Sequence, residues 1–558
     1  MNNKEIAHQF SITSKLMDIH GENSFRAKTY SIAAYKIEKI PTQLSSLNHQ
    51  EIFSINGIGE AIGNKIIEIL STGEMQTLED LIAKTPEGIF EIMQLKGLGP
   101  KKISIIWKEM GIENVGELLY ACYENRLELY KGFGKKTQQN VIESIEFYLS
   151  QQGIFLYAQV ESLAHDLQKL FQQLFAIESI AITGDFARQV EIIDTLEYVI
   201  PLSNIKIKEK ISSIQHLDLV EESSDFIMYQ YNNGVKIKLH FTSSESLIQR
   251  IFETTGSEKF IKFFQEKYSG INYAACIREE DIFNQIQIQP IPPYLREEET
   301  IISIASQNKI PKVIQPNDIK GIIHCHSNWS DGSNTIEELA IACKLSGKEY
   351  LVLSDHSKSA TYANGLYDER IKAQHALIDE LNEKLYPFKI FKSIESDILN
   401  DGSLDYNDSI LSTFDLVIAS VHSNLKMNEE KAMSRLMKAI ENPYTTILGH
   451  MTGRLLLSRK GFPIDHEKII DACAANNVVI EINAHPRRLD MRWEWIRYAL
   501  SKNILLSINP DSHSIPEFDN TRYGVLVAQK GMVTAQDNLS SFSLTELETF
   551  LSNQKIKK

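Results

Sequence analysis

The sequence predicts a multidomain chain with an all-α first part, an α+β middle part and a last part of repeated βα units that close into a barrel. Three observations predict this. Up to about residue 150 short amphipathic stretches are joined by glycine turns; from about 154 to 290 short β-branched runs appear; beyond Gly321 strand-length apolar runs alternate with helical patterns. The chain has 558 residues, 43% hydrophobic and 23% charged, which is ample for several packed domains and excludes disordered and fibrous classes.

Composition also narrows function. No run of about 18 uncharged apolar residues occurs, and Met1-Asn2-Asn3-Lys4-Glu5 lacks the basic-then-apolar order of a secretory signal, so a cytoplasmic protein without membrane association is expected. Cys122, Cys276, Cys325, Cys343 and Cys473 are scattered and never spaced C-x-x-C, which argues against a disulfide framework or a thiolate zinc site. Any metal chemistry must use nitrogen and oxygen. A net charge of -15 excludes holding nucleic acid by bulk positive potential, so such binding has to be local.

In the helical part, apolar residues recur at three and four spacing through Ile103-Ile106 and Val141-Tyr148. Three segments share one pattern: Asn56-Gly57-Ile58-Gly59, Lys96-Gly97-Leu98-Gly99 and Lys131-Gly132-Phe133-Gly134. Each resembles the hairpin of a helix-hairpin-helix element. Paired glycines let the backbone approach a phosphate, and amides at the next helix start point at the anion. Lys65, Lys101, Lys102, Lys135 and Lys136 follow the glycines, where they reach phosphates without reading bases. A single G-x-G is as readily an ordinary turn; three copies favour sequence-independent DNA binding.

In the middle part, Ser179-Ile182, Tyr198-Ile200 and Val235-Phe241 read as strands. Pro290-Ile-Pro-Pro-Tyr-Leu-Arg-Glu-Glu-Glu-Thr300, with Pro311 and Pro316 beyond it, reads as a linker because proline removes donors and fixes φ. After it come the apolar runs Leu351-Leu353, Ile390-Ile394, Leu416-Ala419, Thr445-Leu448, Val478-Ile482 and Ile504-Ile508.

The ends of these runs carry His324-Cys325-His326, Asp331, Asp355-His356, Glu395, His422, His450 and Asp511-Ser512-His513. In a barrel of parallel strands the C-terminal ends share one face, so these residues converge. One buried histidine is usually structural. Nine of the fifteen histidines, however, lie after residue 323, and seven of them sit at or just beyond an apolar run. Imidazoles and carboxylates without thiolates suit Zn, Mn or Fe.

At these positions the chain becomes similar to a known family. Gly321-Ile-Ile-His-Cys-His-Ser-Asn-Trp-Ser-Asp-Gly332, Leu353-Ser-Asp-His-Ser-Lys-Ser359, Ile394-Glu-Ser-Asp-Ile398, Ser420-Val-His422, Leu448-Gly-His-Met-Thr-Gly-Arg-Leu455, Glu481-Ile-Asn483 and Asn509-Pro-Asp-Ser-His513 resemble the motifs of a PHP (polymerase and histidinol phosphatase) domain. Together with the helical hairpins they resemble the bacterial family X DNA polymerase/3'-5' exonucleases along essentially the whole chain. The resemblance implies a helix-hairpin-helix part over 1–150, a nucleotidyltransferase-like palm and thumb over 151–290, a linker over 291–318 and a PHP domain, a distorted (β/α)7 barrel, over 319–558. It also implies three divalent ions on His324, His326, Asp331, His356, Glu395, His422, His450, Asp511 and His513. Asp355 is expected to orient an imidazole, and Lys358 and Arg454 to clamp a phosphate. Asn483 and His485 lie in the same motif region, and the family usually has asparagine where His485 stands, so this histidine departs from the family pattern.

The middle part departs from the family. There a glycine-serine and two arginines hold the incoming triphosphate, and three aspartates bind two Mg ions. The counterpart here is Gly184-Asp-Phe-Ala-Arg-Gln-Val-Glu-Ile-Ile-Asp-Thr-Leu-Glu197. Aligned without a gap, serine becomes Asp185, the first arginine Ala187, the aspartate pair Thr195 and Glu197, and the third aspartate Lys238. A cation where a metal belongs opposes two-metal chemistry. Shifting the alignment to enlist Asp194 would turn the strand's side chains to the other face. Thr255-Gly256-Ser257 and Pro292-Pro293-Tyr294-Leu295-Arg296-Glu297 still resemble the family, so the palm and thumb are expected to persist without polymerase chemistry.

The expected protein is a monomeric, metal-dependent 3'-5' exonuclease of DNA repair. The alternatives are a gap-filling polymerase with an unusual site, a small-molecule phosphatase, for which three glycine hairpins make little sense, and a DNA-binding scaffold, which has no need of so many clustered imidazoles.

Overall fold

The computed structural model describes residues 1–150, 153–212, 214–231 and 234–556. They form two compact units, Met1–Tyr123 with Leu127–Ile145, and Glu124–Arg126 with Glu146–Lys558. Residue 151, where a second domain is expected to begin, lies outside the described residues.

The first unit is all-helical. Helix Asn3–His20 starts where the Asn2 side chain accepts from the Glu5 amide and Glu5 accepts from the Asn2 amide, a reciprocal cap. It buries Ile6, Phe10 and Met17 and packs on helix Ser24–Glu38 through Ala27, Tyr30 and Ala34. The expected three-and-four spacing is present: Ile103, Ile106, Val141 and Ile145 are buried.

The second unit opens with a mixed α+β layer. Its strands are β1 (Phe155–Leu156), β2 (Ala181–Thr183), β3 (Ile192–Ile193), β4 (Thr195–Ile200), β5 (Leu217–Glu222), β6 (Phe226–Tyr231) and β7 (Lys236–Phe241). β1 pairs antiparallel with β3, and the others form one sheet in the order β2-β4-β7-β6-β5, in which only β4 and β7 run parallel. Leu196, Tyr198, Ile237 and Leu239 are buried in one core with Val160, Ala164, Leu167 and Phe171 of helix Tyr157–Phe175. The Tyr198 hydroxyl donates to the Ala164 carbonyl at 2.8 Å, which satisfies a buried polar atom.

The proline-rich stretch is not an extended linker. It contains helix Thr300–Ser306, and Ile291, Leu295, Ile301, Ile302 and Ala305 share a core with Phe252, Phe260, Phe264 and Phe283. Pro293 and Pro316 open short 3-10 helices and Pro290, Pro292 and Pro311 lie in irregular segments, while Thr300–Ser306 between them is free of proline and buries Ile301, Ile302 and Ala305. Arg296 is wholly enclosed there, its Nη1 2.5 Å from Glu279 and its Nε donating to the Ile291 carbonyl.

The rest of the unit is a seven-stranded, all-parallel barrel of the PHP type. Its strands are β8 (Gly321–Cys325), β9 (Tyr350–Leu353), β10 (Lys389–Asp397), β11 (Leu416–Ser420), β12 (Ile447–Leu448), β13 (Val479–Asn483) and β14 (Leu506–Asn509), paired in sequence order. Strands buried on both faces read as continuous apolar runs rather than alternating ones, which is why the sequence announces them. The sheet closes where the His326 amide donates to the Ser512 carbonyl at 2.8 Å and the Ser512 amide to His324 at 3.3 Å. Buried Lys530 fastens barrel to palm: its Nζ stands 2.6 Å from Glu297, which also faces Arg188 at 3.3 Å.

Candidate metal centre

The C-terminal ends of the barrel strands bring the expected ligands together. Among the described residues, three groups have donor atoms within 4.8 Å of one another: His326, Asp331, His356 and His513; His324, His326 and Asp511; His356, Glu395 and His422. His326 joins the first two and His356 the first and third, so the groups are contiguous. His450 completes the set, with its Nε2 3.0 Å from Glu395 Oε1. Glu395 lies centrally: its oxygens are 3.2 Å from His324 Nε2, 3.0 Å from His356 Nδ1 and 3.2 Å from His422 Nε2.

Backbone geometry aims these groups. β8 changes register between Ile322 and Cys325, and His324 and Asp511 adopt φ of 64° and 51°, conformations costly for residues with a Cβ and concentrated at functional sites. Between them His324 Nε2 comes to 3.3 Å from Asp511 Oδ1.

The donors fit divalent cations. His324 Nε2, His326 Nδ1, Asp331 Oδ2, both ring nitrogens of His356, Glu395 Oε2 and His513 Nε2 are buried without a hydrogen-bond partner. A folded chain leaves such atoms unpaired only at a cost that a bound ion removes. Burial alone would keep the imidazoles neutral. For His324 that effect is overcome by Asp511, Glu481 and Glu395, and for His356 by Asp331 and Glu395, so both titrate well above the ordinary histidine value. Likewise His422, facing Glu395 and Asp397, is raised to about 9, and His513, facing Asp331, to about 10. Against burial, imidazoles hold Asp331, Glu395 and Asp511 well below the carboxylate range. Cations supply the same compensation at the same place.

Two carboxylates that sequence reasoning left without a role orient ligands. Glu481 Oε1 and Asp397 Oδ1 each stand 2.6 Å from an Nδ1, of His324 and His422 respectively, which leaves Nε2 facing the cluster. Asn483 donates to Asp511 at 3.0 Å. His485 lies in the same wall, its ring pushed down to about 3 chiefly by burial.

Two residues with expected roles are held by other partners. Asp355 does not touch the His356 ring: it accepts from the Ser327 amide and hydroxyl at 2.8 and 2.7 Å, from Ser330 at 2.5 Å and from Gln374 at 2.6 Å, and so ties down the loop that carries His326 and Asp331. Adjacent residues of extended chain point to opposite sides. Arg454 is spent elsewhere, on the Arg488 and Leu489 carbonyls and on Glu191 at 2.6 Å. Lys358, two residues after His356, has its Nζ 5.0 Å from the Tyr406 ring.

In the helical unit each hairpin has the same construction. Gly57, Gly97 and Gly132 have φ of 83°, 87° and 95°, which favours glycine, while Gly59, Gly99 and Gly134 immediately precede helices Glu60–Thr72, Pro100–Ser104 and Lys135–Ser150. No side chain caps the first two of these helix starts. Lys101, Lys135 and Lys136 are exposed, Lys65 pairs with Glu68 at 2.6 Å, and the Lys102 ammonium sits 5.5 Å from the Phe133 ring.

Among the described residues, no group of metal-ligand side chains forms at the expected place in the palm. Glu197 and Lys238 are register partners on β4 and β7, with Nζ 3.9 Å from Oε2; the same oxygen lies 2.7 Å from His240 Nε2. Asp185 pairs with Arg188. Burial raises the Asp185 carboxyl, Arg188 opposes this, and Glu197, Glu297 and Asp194 add to it.

No helix of the described residues is long and apolar enough to cross a membrane. The helix-hairpin-helix domain family matches residues 1–75, and the SAM-like helix-hairpin-helix tandem family matches residues 89–146. A probable phosphatase of Acetivibrio thermocellus is 28% identical over 167 residues, 29% of this chain and 64% of that protein; one of Thermoanaerobacter sp. strain X514 is 31% identical over 166 residues, 29% of this chain and 62% of that protein. With the DNA polymerase/3'-5' exonuclease PolX of Bacillus subtilis strain 168, identity is 31% over 570 residues, and 99% of each chain is covered. A match of that extent, joined to helical hairpins and a PHP-type barrel, places this chain in the PolX family.

Proposed function

We propose that this protein is a metal-dependent phosphodiesterase that removes nucleotides from DNA 3' ends during repair, acting as a monomer through the barrel. The observation that carries the reading is the contiguous ligand set with its orphaned, buried donor atoms. The nine residues from His324 to His513 identified above would hold three divalent ions, Mn or Zn with Fe as a further candidate. When bound, such ions activate water and neutralise charge on a phosphate. Lys358, two residues after the candidate ligand His356, takes a phosphate oxygen. The three glycine hairpins hold the DNA backbone without reading sequence, through Gly57, Gly59, Gly97, Gly99, Gly132 and Gly134 and the adjoining Lys101, Lys102, Lys135 and Lys136.

The palm serves as a DNA-positioning structure without nucleotide transfer. An ammonium 3.9 Å from the surviving carboxylate repels the cations that transfer needs.

The test is incubation of end-labelled single-stranded and gapped DNA with Mn, with and without nucleotides. A 5'-labelled strand shortens stepwise, a 3'-labelled strand yields labelled mononucleotide first, and His324→Ala binds DNA without shortening it. Primer extension that Glu197→Ala abolishes would overturn the palm reading; 5'-to-3' shortening would overturn the polarity.

A further inference from the structure

Residues Glu124–Arg126 belong to the same compact unit as the barrel, although the residues on either side belong to the helical unit. Their side chains stand at the metal centre. Asn125 Nδ2 lies 3.3 Å from the Asp331 carbonyl and 3.0 Å from Ser333 Oγ. The Arg126 guanidinium lies 4.2 Å from the centre of the Tyr362 ring, which itself packs edge-on, 6.2 Å between centroids, against the candidate ligand His356. Glu124, buried, is shared by two arginines: one oxygen is 3.4 Å from Arg126 Nη1 and the other 4.0 Å from Arg488 Nη2. Arg488 Nε reaches Asp511 Oδ2 at 3.6 Å.

The Arg126 side chain is one-fifth exposed, yet its Nε is buried without a hydrogen-bond partner among the described residues, and its bond to Glu124 is long. Leaving guanidinium donors undersatisfied beside a low-polarity ring costs free energy in the absence of an anion. A phosphate restores the balance, because its oxygens match the planar fork two at a time while the aromatic face supports the cation.

We propose that Arg126 touches the substrate: with Tyr362 as its platform and Glu124 as the counter-ion that holds it ready, it grips the phosphate next to the scissile one. This rests on the phosphodiesterase reading. Arg126 therefore sets how tightly a chain end is seated, while bond cleavage depends on the metal ligands.

The experiment compares the full-length protein with Arg126→Ala and Arg126→Lys on a labelled oligothymidylate in Mn. Arg126→Ala raises KM at least tenfold and leaves kcat within threefold. The slope of log KM against log salt falls by about 0.7, the value for one phosphate contact on a single strand. Arg126→Lys keeps the slope but recovers only part of the KM, since an ammonium lacks the fork. Mn binding, counted by electron paramagnetic resonance, stays at the level of the unsubstituted protein. An unchanged KM and slope in Arg126→Ala overturns the proposal, and so does a fall of kcat together with bound Mn, which would make Arg126 a support of the metal centre. Failure of the unsubstituted, Mn-loaded protein to cleave the oligonucleotide would instead overturn the phosphodiesterase reading, and the proposal with it.

Discussion

His324 Nδ1 lies 2.6 Å from Glu481 Oε1, and both side chains are wholly buried. The carboxylate fixes the ring so that Nε2 faces Glu395 and Asp511. Its own oxygens are held in turn by the His450 amide at 2.7 Å and by Asn509 Nδ2 at 2.8 Å. Replacing one oxygen with an amide nitrogen, as in Glu481→Gln, confronts those donors with a donor and releases the ring. Partners of this kind typically contribute about 10- to 100-fold in metal affinity. Glu481→Gln is therefore expected to weaken Mn binding by that factor in a spectroscopic titration; an unchanged affinity would show that His324 is oriented by something else.

Removal of metal is expected to destabilise the barrel as well as silence it. Three acidic groups and six imidazoles share one enclosed volume, and a ligand at about 100 times its Kd contributes roughly 2.7 kcal/mol. For a domain of the barrel's size that corresponds to a fall in Tm of roughly 5–10 °C after chelation. Scanning calorimetry before chelation, after it, and after Mn is returned checks this. A Tm indifferent to all three treatments would mean that the cluster is stable on its own ion pairs.

Much of the fold was legible because parallel strands buried on both faces, such as Leu416–Ser420 and Val479–Asn483, have no solvent face to interrupt their apolar runs. The ligands were legible because the strand ends concentrate one residue chemistry. Their supports were not, because Glu481 acts on a ring 157 residues away. One signal was present: Glu395 and Asp397, like Glu481 and Asn483, are two apart on a strand and so share a face. Arg454 misled because adjacency to the His450 motif says nothing of where a long side chain ends. The proline-rich stretch misled because Thr300–Ser306, free of proline, buries Ile301, Ile302 and Ala305.

His375 gives a pH dependence away from the metal centre. On helix Asp368–Leu385 its ring meets Phe414 edge-on at 5.0 Å, and its Nε2 is buried without a hydrogen-bond partner. Burial, with Lys392 adding to it, pushes the imidazole down to about 4 against the opposing pull of Asp415 and Asp379. Above the unfolded value of about 6.5 both states are neutral and the group adds no slope. Between about 6.5 and 4 the unfolded chain takes a proton that the folded chain refuses, so stability falls as pH falls. His375→Leu is expected to remove this part of the slope, about 1 kcal/mol after allowance for the ring's part exposure. Urea unfolding of both proteins at pH 7.5 and 4.5 measures it, and equal slopes would refute it.

The Arg454–Glu191 pair separates a structural arginine from a substrate clamp. Arg454 Nη2 lies 2.6 Å from Glu191 Oε1, and burial, opposed by Arg454, raises the Glu191 carboxyl. Removing one member of such a pair strands the other, which costs about 3 kcal/mol where, as here, the carboxylate keeps slight exposure. Arg454→Met should therefore lower stability by about that amount, and adding Glu191→Gln should recover most of it, because an uncharged amide needs no counter-ion. Both proteins, once folded, should cleave DNA at the rate of the unsubstituted protein. If Arg454→Met instead keeps its stability and loses cleavage, the guanidinium reaches the phosphate during turnover and its contacts with Glu191, Arg488 and Leu489 are only its resting position.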